Sequence, residues 1–63
     1  MSDWQFVARR TEYNRNVVRV RVPPGANDSE VLEYAKKVGA DSAPFGYEMR
    51  RYGEEVEVAF YTD

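Results

Sequence analysis

Glu54, Glu55 and Glu57 place three carboxylates within four positions, the raw material of a paired acid–base or a Mg²⁺ site. Glu55 and Glu57 alternate with Val56 and Val58, however, which puts both on the solvated face of a strand. Alternating charge beside arginine-bearing neighbours accounts for them without catalysis. Ser2, Ser29 and Ser42 fall at a terminus, in a helical first turn and in a loop, and the chain has no His to activate them. The chain also has no Cys, which excludes disulfides and thiolate zinc sites. Neither a phosphate-binding loop nor a dinucleotide fingerprint is present. The expectation is a protein that is not an enzyme, with no catalytic residue, cofactor or metal.

Binding is the chemistry left. Seven of the nine cations are Arg, which makes planar, bidentate contacts that Lys cannot, although a GC-rich genome produces the same bias. Strand parity gathers Arg9, Arg19, Arg21 and Arg50 with Tyr52 and Tyr61 on one outward face, interleaved with Glu48, Glu55 and Glu57. Arg and Tyr are the residues of binding hot spots and of stacking platforms for single-stranded nucleic acid. The plainer reading is cross-strand Arg–Glu pairing on a wet surface. Arg10 and Arg51 share parity with the core, so both must lie near strand ends and extend their charged heads to water. Arg51 joins the candidate set as a rim residue.

The elements that must position these residues follow from local pattern. From Trp4 to Tyr13 a strand puts Trp4, Phe6 and Ala8 inward and Gln5, Val7 and Arg9 outward. Asn14-Arg15-Asn16 reads as a turn, because Asn tolerates positive φ. Val18, Val20 and Val22 then alternate with Val17, Arg19 and Arg21, and the two runs make a hairpin. Pro23-Pro24-Gly25 ends it. Asn27 to Val38 is a helix with Asn27 as N-cap, Glu30 completing a capping box, and Asp28 and Glu30 opposing Lys36 and Lys37 along the dipole. Gly39 is expected to close it in the left-handed conformation. Val31, Leu32, Ala35 and Val38 form its apolar stripe.

A loop from Ala40 to Phe45 precedes a third strand, Gly46 to Tyr52, with Tyr47 and Met49 inward. Gly53-Glu54 makes a tight turn into the last strand, Glu55 to Tyr61, with Val56, Val58 and Phe60 inward. The predicted fold class is α+β: ββαββ, a four-stranded mainly antiparallel sheet with one helix packed on one face, in a single domain over 1–63.

Sixty-three residues are close to the lower limit for a self-sufficient core. The balance of 9 basic against 11 acidic residues lacks the excess of a duplex-DNA binder. The N-terminus has neither the basic nor the apolar region of a signal peptide, and no apolar run is long enough to span a bilayer. Cytoplasmic location and no membrane contact are expected.

Ala43-Pro44-Phe45-Gly46-Tyr47-Glu48-Met49-Arg50-Arg51, following a hairpin and a short capped helix, resembles the small phage-encoded inhibitors of bacterial RNA polymerase. The likeness spans Trp4 to Tyr52 and is one of element types. It implies a phage protein whose partner is a host polymerase, with Arg51 in the place of one polymerase-contacting arginine. The second such position holds Gly53, and the strand Glu55 to Tyr61 is additional. The expected function is a small non-catalytic protein-binding module, a phage or mobile-element protein that binds and modulates a host protein through its open sheet face. The alternatives are a single-stranded nucleic-acid platform and a structural homodimer.

Overall fold

The structure, a computed structural model, describes residues 3–63, so Met1 and Ser2 lie outside the described residues. Strand β1 (Gln5–Glu12) and strand β2 (Arg15–Arg21) form the first hairpin, helix α1 (Asp28–Gly39) follows, and β3 (Tyr47–Tyr52) and β4 (Glu55–Tyr61) form the second. The sheet order is β1-β2-β4-β3 and every pairing is antiparallel, so β2 and β4 are central and the other two are edges. Val22 N donates to Glu54 O at 3.0 Å and Thr62 N to Asn14 O at 2.9 Å, extending the central pair at both ends.

The helix begins where its local chemistry says it must. The Asn27 side chain accepts from Glu30 N at 2.8 Å, and the Glu30 carboxylate accepts from Asn27 N at 3.3 Å, so two otherwise orphaned amides are satisfied. Its far end differs from expectation. Ala40, not Gly39, takes the left-handed conformation, with φ 53°, and Gly39 is the last helical residue. Glycine is needed there for space: a Cβ on Gly39 would stand 2.7 Å from Val18 Cγ2, so the missing side chain lets the helix approach β2.

The core lies between the helix and the two central strands. Val18, Val20, Val22, Val31, Ala35, Val56, Val58 and Phe60 are buried, with Trp4, Leu32, Tyr34, Val38 and Met49 packed around them. At full burial each large apolar side chain contributes roughly 1.5–3 kcal/mol. Edge-strand members of the expected core are only partly covered: Phe6 is 49% exposed and Tyr47 44%.

Strand β1 departs from simple alternation. Phe6 pairs with Val20 and Ala8 with Arg19, which leaves Val7 as a bulge with no residue opposite it. Beyond the bulge the faces exchange. Ala8 and Arg10 lie on the open face, and Arg9 lies on the helix side opposite Val18. The expected placement of Ala8 and Arg10 inward and Arg9 outward is therefore corrected by one inserted residue. The first turn is also tighter than expected: Tyr13 and Asn14 make it, neither with positive φ, and Arg15 already belongs to β2.

Candidate functional site

Arg19, Arg21, Arg50, Tyr52 and Tyr61 stand together on the open face, as their alternation requires. Arg10, Glu12 and Arg15 join them; the bulge brings in the first two, and the tight turn brings in Arg15. Running the Val17–Arg21 alternation back two residues would have found Arg15. Nothing in the residue types marks Val7 as a bulge. Arg9 and Arg51 occupy the other side of the sheet, on opposite edges. Arg9 Nη1 donates to Gly39 O at 3.4 Å, and Arg51 Nη2 donates to Asp28 Oδ1 at 2.7 Å and to Ala26 O at 3.1 Å.

The open-face cations form one continuous chain with carboxylates. Arg21 reaches Glu54 at 3.7 Å and Glu55 at 3.5 Å, and Arg19 bonds Glu55 and Glu57, the latter at 3.1 Å. Arg10 grips Glu57 with both terminal nitrogens, at 3.0 and 3.3 Å, and Glu12 through Nε at 3.0 Å. Arg15 continues from Glu12 at 2.7 Å to Glu48 at 3.6 Å, and Arg50 ends the chain on Glu48 at 3.4 Å. Tyr61 donates its hydroxyl to Glu48 at 3.2 Å, and the Arg19 guanidinium lies 5.3 Å from the Tyr52 ring centroid. Five arginines thus meet five glutamates across all four strands.

This lattice serves as the sheet's second cover. Val17 and Ala59 lie on the open face yet are only 3% and 9% exposed, and they share one hollow with Arg10, Arg15 and Arg50. Its electrostatics are mutual. Hydrogen bonding from Arg10 holds the Glu57 and Glu12 carboxyls below their ordinary value, and Arg19 does the same for Glu55. Glu57, at 13% side-chain exposure the most covered of the five carboxylates, links Arg10 to Arg19 at the middle of the chain.

Unmatched surface lies elsewhere. Phe45 is 60% exposed, Tyr47 44% and Tyr52 47%, so aromatic groups flank both ends of the β3 edge. Phe6 and Val7 are exposed at the β1 bulge. Among the described residues no group of three or more His, Cys, Asp and Glu side chains is placed to hold a metal ion. No helix among them is long and apolar enough to cross a membrane. Comparison with protein-family models, with curated proteins and with solved structures finds no match to this chain.

Proposed function

We propose that this chain is a small non-catalytic module that binds another protein in the cytoplasm, and that its contact surface is the β3 edge. The observation that supports this reading is the charge match on the open face. A polyanionic ligand gains affinity by releasing counterions around unmatched cations. Here each open-face arginine already has a carboxylate partner. What remains on offer is aromatic surface at Phe45, Tyr47 and Tyr52 beside the outward amides of an edge strand. That combination suits strand addition, in which an extended segment of the partner supplies the next strand and its side chains meet the flanking aromatics. The choice of surface thus moves from the sheet face, where a partner would have to cover ten charged groups, to its rim.

The resemblance to phage inhibitors makes bacterial RNA polymerase one candidate partner, with Arg51 on the proposed strand. Arg51 also secures the helix start, so its loss would affect fold and contact together. The test is capture by purified polymerase and by nuclease-treated bacterial lysate, using the native chain beside a Phe45→Ser/Tyr47→Ser variant. A stoichiometric protein retained by the native chain and lost from the variant supports the reading. Salt-sensitive binding to single-stranded oligonucleotides that survives both substitutions would overturn it.

A further inference from the structure

Strand β3 carries a second property that needs only this chain. We propose that two copies join along β3, antiparallel, about a two-fold axis at Met49, to make one continuous eight-stranded sheet. The hydrogen bond from Tyr61 N to Gly46 O, 3.0 Å, sets the phase of the β3–β4 ladder. Amide orientation alternates along a strand, so Glu48, Arg50 and Tyr52 turn their backbone groups toward β4. Tyr47, Met49 and Arg51 turn theirs outward, away from the sheet. A neighbouring strand must bring its own outward-facing residues opposite these three.

Three two-fold registers satisfy that condition with good overlap, centred on Glu48, Met49 or Arg50. The first sets Glu48 against Glu48 of the second copy, and the last sets Arg50 against Arg50; like charges directly opposite destabilise a pair. Centring on Met49 reverses both terms. Glu48 then faces Arg50 of the second copy, twice over, and Tyr47 faces Arg51, also twice, as a cation over a ring. Met49 meets its own copy on the axis. This register also pairs all three outward residues of each strand, where the other two pair only two.

The surroundings favour it. The helix contacts the central strands β2 and β4, leaving the rim of β3 open. Strand β3 keeps an unbroken register with β4, whereas β1 is interrupted by its bulge, a usual protection against edge pairing. Glu48 and Arg50 are the terminal members of the open-face ion chain, so the pairing joins two such chains into one. A six-residue edge buries less than a standard stable interface, so the dimer is one that dissociates on dilution. It stands whether or not another protein uses the same edge.

Sedimentation equilibrium across a concentration series tests it. The native chain reaches twice the monomer mass at high concentration, while Arg50→Glu, which opposes Glu48 with a second glutamate, associates about tenfold more weakly or not at all. Glu48→Arg behaves likewise alone. An equimolar mixture of the two variants forms a heterodimer, because every glutamate of one then faces an arginine of the other. Glu48 also holds Arg15 and Tyr61, so circular dichroism must show each variant folded. Amide exchange on the native chain supplies an independent readout: Met49 and Arg51 amides slow as concentration rises. A native chain that stays monomeric, a dimer indifferent to Arg50→Glu, or concentration-dependent protection on β1 in place of β3 would each overturn the proposal.

Discussion

Arg9 on one edge strand and Arg51 on the other hold opposite ends of the same helix. Arg51 takes the Asp28 carboxylate and the Ala26 carbonyl at its start, and Arg9 takes the Gly39 carbonyl at its end, where a cation also favours the helix dipole. The two contacts fix a helix that packs mainly on the central strands. Asp28 is largely exposed, so Arg51→Ala is expected to cost no more than about 1 kcal/mol in urea unfolding. Salt should shrink that difference. Arg9→Ala should cost about 0.3–1 kcal/mol, and the double variant should be additive, because the sites share no partner.

Gly39→Ala tests the approach of helix to sheet. In an ordinary helical interior this change stabilises by about 1 kcal/mol. Here the new methyl meets Val18 Cγ2, a stiff β-branched side chain with no exposure, so the expected sign is reversed. A loss of about 1–3 kcal/mol is expected in denaturant unfolding. Adding Val18→Ala should recover part of it, because the obstructing methyl is then absent. Additive losses would show that the close approach is not what selects glycine.

Acid should weaken the open-face lattice. Glu12, Glu55 and Glu57 titrate below their ordinary value of 4.5 because arginines hydrogen-bond their charged forms. A carboxyl depressed in the folded state stabilises above its unfolded pKa, and the contribution is lost as pH falls through the folded value. Unfolding midpoints should therefore decline below about pH 4.5. Glu57→Gln removes the carboxylate shared by Arg10 and Arg19, so its midpoint should be lower near neutral pH and decline less in acid. An unchanged acid slope would place the sensitivity elsewhere.

Local signals made most of this fold legible. The capping box, the dipole-matched ends and the apolar stripe all belong to α1, and the valine alternation of β2 and β4 survives because these central strands pair in an unbroken register. Period-two alternation in β2, β3 and β4 places Arg19, Arg21, Arg50, Tyr52 and Tyr61 on one face. Arg9 and Arg10 were reversed because Val7 is inserted for the sheet's sake, and valine carries no mark of a bulge. The β2–β4 pairing, and with it the five-to-five ion chain, joins residues far apart in sequence. Which Arg meets which Glu depends on that register, and no local pattern states it.

Trp4 and Tyr34 give the last test, of how the start of β1 is held. Their ring centroids are 5.1 Å apart at 47°, a tilted contact between the segment preceding β1 and the outer flank of α1. Just beyond it Phe6 is half exposed and Val7 bulges, so the ladder itself grips that end weakly. A double-mutant cycle of Trp4→Ala and Tyr34→Ala should give a coupling of about 0.5–1.5 kcal/mol, the value of an aromatic pair beyond area burial. Amide exchange should localise the effect. In Trp4→Ala the Gln5 amide, opposite Arg21, should exchange faster while those beyond the bulge keep their rates, because residues 8–12 are secured independently by Arg9 on the helix and Arg10 in the ion chain. Uniform acceleration along β1 would mean that the bulge does not divide the strand.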